Sequence, residues 1–133
     1  MIITYAEIDG FKNLSGVSFA PDPKYNIILG PNAQGKTNLL EAMWILSGCK
    51  SFRGSKEKDY IALGGNKMSS KIRIKDSVRE QKISFEMTKN AASPKVIHLN
   101  GVKQKGTKAI FDVFKCIAYI THMRSGKWIR PVI

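Results

Sequence analysis

Hydrophobic and polar positions change their period twice along this chain, and the changes divide it into three stretches. The first stretch opens with Ile2–Ile8 (IITYAEI), a run rich in β-branched residues that predicts a strand ending at the turn signal Asp9-Gly10. Val17–Phe19 predicts a short second strand. Pro21-Asp22-Pro23 then breaks the chain, since two fixed φ angles and two missing N–H donors suit a loop. Tyr25–Leu29 (YNIIL) is nearly all apolar, the pattern of a strand buried on both faces. A glycine-bounded loop leads from it into a helix predicted from Lys36 to Leu46. On that helix Leu39, Leu40, Ala42, Met43, Ile45 and Leu46 cover most of the circumference, so it is expected to be buried rather than to lie on the surface. Ser47-Gly48 ends it.

The second stretch, Cys49–Asp59 (CKSFRGSKEKD), is polar and charged and predicts an exposed loop, followed by one helical turn at Tyr60–Leu63 before Gly64-Gly65. In the third stretch the period becomes two. Lys71–Lys75 (KIRIK) and Lys82–Met87 (KISFEM) alternate apolar and polar residues, as half-exposed antiparallel strands do. Asn90–Pro94 is a turn, Val96–Leu99 a further strand, and Asn100-Gly101 a strong hairpin signal. Ala109–Phe114 predicts a short helix and Cys116–Ile120 an apolar strand. The expected fold class is mixed α/β: a buried α/β nucleus with an antiparallel β-meander inserted after its first helix.

Composition narrows the partners. The 133 residues suffice for one domain with a real core. No apolar run is long enough to span a bilayer and no signal-peptide pattern opens the chain, so the expected compartment is the cytoplasm, without membrane contact. Cys49 and Cys116 show no metal-ligand spacing and are expected to be reduced thiols. The net charge of +12 is unevenly spread: residues 1–60 hold seven Lys/Arg against six Asp/Glu, whereas residues 95–133 hold eight against Asp112 alone. That asymmetry favours a polyanionic partner, because each neutralised phosphate releases counterions. Lys50, Arg53, Lys56, Lys58, Lys71, Arg73, Lys103 and Lys105 are the candidates to track DNA phosphates, against the plainer reading of a solvated basic face.

The chemistry is concentrated at Gly30-Pro31-Asn32-Ala33-Gln34-Gly35-Lys36-Thr37, which matches G-x-x-x-x-G-K-[ST] at every fixed position. Triphosphate oxygens need several converging N–H donors, and a loop wrapping into a helix N-terminus supplies them together with the positive end of the helix dipole. Gly30 and Gly35 permit backbone angles and a close approach that a Cβ would forbid. Lys36 is placed to reach the β- and γ-phosphates, and the Thr37 hydroxyl to ligate Mg²⁺. Asn38 can add a contact at the α-phosphate. ATP and Mg²⁺ are the cofactors this motif predicts.

Further residues carry a resemblance. The opening strand, then Phe11-Lys12-Asn13, a second strand and the loop resemble the ATPase heads of the SMC and RecF group within the ABC-type superfamily. Residues 28–42 (ILGPNAQGKTNLLEA), Ser47–Arg53 and Asp59–Gly64 are similar to the RecF family in particular, as are His98–Gly101 with Lys103 and Lys105, and Phe114–Tyr119. The resemblance covers residues 1–120, an ATP-binding lobe, while Thr121–Ile133 does not look like the family's continuation. It implies a DNA repair and recombination protein that binds duplex and gapped DNA in an ATP-dependent way. RecO and RecR are its implied partners in loading recombinase at gaps, and ATP is implied to sit between two heads of a homodimer. By position it further implies that Lys12 and Asn13 lie near the nucleotide, and that Arg53 lies near the nucleotide and the DNA-facing surface.

The family's apolar run closed by Asp-Glu and its signature sequence are not found in this chain, so no carboxylate is identifiable to orient an attacking water or to support the metal. Binding of Mg-ATP without turnover is the expectation. A small P-loop kinase and a non-enzymatic nucleic-acid-binding module remain as alternatives.

Overall fold

In the computed structural model, residues 1–30 and 35–118 are described in full, and 122–124 and 127–129 as strands only. Among the described residues, eight strands and one α-helix follow the order β1 (Ile2–Asp9), β2 (Val17–Phe19), α1 (Lys36–Trp44), β3 (Lys67–Lys75), β4 (Glu80–Thr88), β5 (Lys95–Leu99), β6 (Val102–Gln104), β7 (His122–Arg124) and β8 (Lys127–Ile129). Strands β1–β6 form one antiparallel sheet in the order β2-β1-β3-β4-β5-β6, and β7 pairs with β8 separately.

Alternation places the core on one face of this sheet. Met68, Ser70, Ile72 and Ile74 of β3 point inward beside Met87, Phe85, Ile83 and Gln81 of β4, each pair in direct register. Ala6 and Ile8 of β1 extend the same rows, opposite Ile72 and Ser70. A one-residue slip would turn every one of these side chains into water, which is why the pattern fixes the register. Helix α1 and the 3₁₀ turn Ile45–Ser47 lie across the inner face and bury Ala42, Ile45 and Leu46. The buried Ser70 hydroxyl donates to the Ala42 carbonyl (2.6 Å), tying helix to sheet.

The alternating strands and the Asn100-Gly101 hairpin form as expected, β3 and β5 starting earlier than predicted and β4 extending at both ends. Other expectations are corrected. The meander is not an insertion beside a separate nucleus: β1 and β2 belong to the same sheet, because β1 pairs directly with β3. Tyr25–Leu29 forms no strand, and Tyr25, Ile27 and Leu29 are 85, 83 and 85% exposed. A strand needs a neighbour for its N–H and C=O groups, and no described strand runs beside it. Instead the Asp22 carboxylate accepts the Lys24 and Tyr25 amides, while the Asn26 side chain donates to the Asp22 carbonyl.

Helix α1 is shorter than predicted and only half sunk, with Leu40 exposed and Glu41 buried. Between this open helix face and residues 21–29 lies an apolar cleft of about 690 Å³ lined by Ile3, Phe19, Ile28, Leu39, Met43 and Phe114. The helical turn expected at Tyr60–Leu63 falls instead at Glu57–Asp59, because Ile61 bridges to Phe11. The later helical turn spans Thr107–Ile110 rather than Ala109–Phe114. Residues 115–118 form no strand, and the rest of Cys116–Ile120 lies outside the described residues. Cys49 and Cys116 are free and half-buried.

Candidate phosphate-binding site

The site is built where the phosphate loop enters α1. Gly35 caps the helix with φ 93° and no side chain, and no acidic residue occupies the first turn. The first helical bond runs from the Leu39 amide to the Gly35 carbonyl (2.9 Å), so the amides before it have no partner within the helix. Lys36 Nζ donates to the Gly30 carbonyl and so joins the two ends of the loop. Pro31, Asn32, Ala33 and Gln34 lie outside the described residues. The Thr37 side chain is exposed, and Asn38 is half-buried.

Two neighbouring segments converge on this turn. Residues 10–12 are stitched to residues 60–62: the Lys12 amide donates to the Tyr60 carbonyl (2.9 Å) and the Ala62 amide to the Gly10 carbonyl (2.8 Å). This holds Lys12 in a left-handed conformation, φ 50°, uncommon for a residue with a side chain. Asn13 lies so close to Gly35 that a Cβ there would stand 2.9 Å from its Oδ1. The Asn38 side-chain amide donates to that same Oδ1 (2.6 Å), and Arg53 from the loop after the helix donates to Asn38 Oδ1. A cleft of about 660 Å³ opens beside them, lined by Lys12, Asn13, Asn38, Lys58, Asp59 and Lys89.

Sequence reasoning missed the residue at the centre. Glu41 is completely buried on α1, and its Oε2 accepts from Lys12 Nζ (2.9 Å) and Arg53 Nη1 (3.2 Å). Lys12 Nζ also donates to Ser55 Oγ (2.8 Å). The Glu41 carboxylate helps to hold up the neighbouring Tyr60 phenol, whose pKa is raised to about 12, chiefly by burial. An acidic residue amid the apolar positions of LLEAMW was the one available signal. Lys12, Asn13, Asn38 and Arg53 are thus brought together beside the helix N-terminus, while the Lys36 side chain turns to the Gly30 carbonyl.

Of the other basic candidates only Lys58 borders this cluster, across the cleft. Lys56 and Lys58 are exposed on the loop that carries Arg53, whereas Lys103 lies on edge strand β6, three strands removed from β1, with Lys105 just beyond it. On the outer sheet face Arg73 stacks over the Tyr5 ring at 5.2 Å, and Lys71 pairs with Glu86 at 3.5 Å. Among the described residues, no group of three His, Cys, Asp or Glu side chains is arranged to hold a metal ion, and no helix is long and apolar enough to cross a membrane.

Comparison with known proteins gives this geometry a family. Residues 2–116 match the profile of the RecF/RecN/SMC N-terminal domain. The chain belongs to that family. The DNA replication and repair protein RecF of Lachnoclostridium phytofermentans is 30% identical over 119 residues, covering 90% of this chain and 32% of the relative. RecF of Desulforamulus reducens is 34% identical over 120 residues, again 90% of this chain and 31% of the relative. The chain therefore spans about a third of the length of these relatives. A solved structure of the recombination mediator RecF with ATP, from the RecFOR pathway, superposes with a TM-score of 0.80 at 35% identity, over 87% of this chain and 31% of that one. An SMC head domain from Thermotoga maritima superposes with a TM-score of 0.68 at 20% identity, over 86% of this chain and 43% of that one, a likeness of fold. The RecF/RecN/SMC family thus accounts for the mixed α/β fold, with the helix after the phosphate loop on the inner face of an antiparallel meander.

Proposed function

We propose that this chain is the ATP-binding part of a RecF-like DNA repair and recombination protein. The observation that carries the reading is the helix N-terminus at Gly35–Lys36: it has no side-chain cap, no acidic residue in its first turn, and lysine and arginine side chains gathered beside it. Such an end is suited to an anion, and a triphosphate supplies the charge and acceptors that the loop's donors lack. Gly30–Thr37 and Asn38 are the proposed phosphate contacts, with Lys12 and Asn13 alongside. The exposed Thr37 hydroxyl would help to hold Mg²⁺, a hard cation that prefers oxygen donors and keeps several of its waters. The metal would neutralise phosphate charge. The chain's own residues bind and orient the nucleotide, and binding without turnover is expected of the chain by itself.

DNA, duplex or gapped, is the proposed polyanionic partner, supported by the +12 charge and by the exposed Arg53, Lys56, Lys58, Lys103 and Lys105. Partners of the RecO and RecR kind, an ATP-dependent pairing of two heads and a cytoplasmic location belong to the same proposal, and rest on family membership. Calorimetric titration with Mg-ATP tests its core. Heat that saturates with the wild-type chain and disappears in Lys36→Ala is expected. A folded wild-type sample that gives no binding heat, or equal binding by both chains, would refute it.

A further inference from the structure

Glu41 presents an unusual combination: no exposure at all, two cations on one carboxylate oxygen, and the other oxygen, Oε1, without a donor among the described residues. Burying a carboxylate costs free energy even when it is paired, and an apolar side chain of similar volume commonly serves stability as well or better. The residue's value therefore has to be sought in what it orients. Its two partners come from different segments, Lys12 from the turn after β1 and Arg53 from the loop after α1, and neither segment is a helix or strand. Arg53 also reaches the phosphate-loop helix by a second route, donating to Asn38, and Asn38 donates to Asn13, which is joined to Lys12 by its peptide bond. The result is a closed polar ring of Lys12, Glu41, Arg53, Asn38 and Asn13 around the first turns of α1. Two cations against one carboxylate leave the triad with a net positive charge.

We infer that Glu41 is a positioning residue that holds the Lys12 and Arg53 side chains at the mouth of the phosphate loop, as a ready-made seat for the nucleotide's charged end. The inference rests on the phosphate-binding reading above and adds to it a buried residue that touches no ligand. It also ties the loop carrying Arg53, Lys56 and Lys58 to the site, because Glu41 and Asn38 both hold Arg53 there.

The sign of the effect separates positioning from plain electrostatics. Removing a negative charge beside an anion site should tighten anion binding if charge alone matters. Loss of positioning weakens it. In Glu41→Gln we expect Mg-ATP affinity to fall by about tenfold or more, the scale of a charged hydrogen bond. Unchanged or tighter binding overturns the inference. A second measurement needs no nucleotide: limited trypsin digestion read by mass spectrometry. Cleavage after Arg53 should rise by about tenfold in Glu41→Gln, with cleavage at Lys103 and Lys105 unchanged, because only the tethered loop is released. A rise at all sites together with a lower melting midpoint marks a general structural role and overturns it, as does no rise at Arg53.

Should Glu41→Gln fail to fold, the triple change Glu41→Leu, Lys12→Met, Arg53→Met replaces the whole ion cluster with apolar volume, a kind of exchange that proteins tolerate. It is expected to be folded and to bind Mg-ATP at least tenfold less well. Wild-type affinity in that variant refutes the inference. Absence of Mg-ATP binding by the wild-type chain removes the nucleotide reading, and the digestion then decides by itself whether Glu41 holds Arg53.

Discussion

Replacing Gly35 by alanine tests how closely the phosphate loop is locked against the turn after β1. Two separable costs arise. At φ 93° an L-residue is strained, by roughly 1–2 kcal/mol. The new methyl would also stand 2.9 Å from Asn13 Oδ1 and 3.2 Å from Leu14 Cδ2. Asn13 must then swing away and give up its bond from Asn38, worth about 0.5–1.5 kcal/mol. The lower entropy of alanine in the unfolded chain offsets about 0.4–1 kcal/mol. A net loss of about 2 kcal/mol follows, which lowers a urea midpoint by about 1 M at an m-value of about 2 kcal/mol/M. Equilibrium urea unfolding followed by Trp44 fluorescence measures it. The double variant Gly35→Ala, Asn13→Gly should recover the part due to crowding and leave the backbone part. A Gly35→Ala chain as stable as wild type, or one whose loss is unaffected by Asn13→Gly, would refute the reasoning.

Two more predictions concern the scaffold under the site. Phe11 is fully buried with its ring 5.3 Å from that of Tyr60, so Phe11→Ala should cost about 3–5 kcal/mol; a loss below about 1 kcal/mol in the same urea assay would contradict the packing. Tyr60, its pKa raised from 10.0 to about 12, keeps its phenol neutral in the folded chain where the unfolded chain has already ionised. Its contribution is therefore complete below pH 10 and is lost as pH rises from 10 towards 12. Tyr60→Phe should flatten that part of the stability profile, and identical slopes for the two chains would exclude the shift.

The strands were legible wherever one face meets the core and the other meets water, as in KIRIK and KISFEM, because alternation records both environments. Their full lengths were not, since Lys67 and Thr88 at the open end of the β3–β4 pair are held by partners distant in sequence. Tyr25–Leu29 shows the limit of composition: apolar side chains report a tendency to be buried, but the partner that would bury them is written elsewhere. Lys36, Thr37 and the glycines could be proposed from sequence because the motif is contiguous. Glu41 was not, because its role exists only once Lys12, 29 residues earlier, and Arg53, 12 residues later, have been folded against it.

The strand order also bears on how the chain reaches this structure. From β3 to β6 every strand pairs with its successor, so that part closes only short loops and can form quickly. Strand β1 pairs with β2 and also with β3 across the whole intervening segment, Asp9 meeting Ser69, and Lys12, Asn13, the phosphate loop, Glu41 and Arg53 lie inside that excursion. Closing that long loop and bringing Lys12, Glu41 and Arg53 together are thus expected to coincide, late in folding. A nucleotide would therefore speed folding little and slow unfolding much.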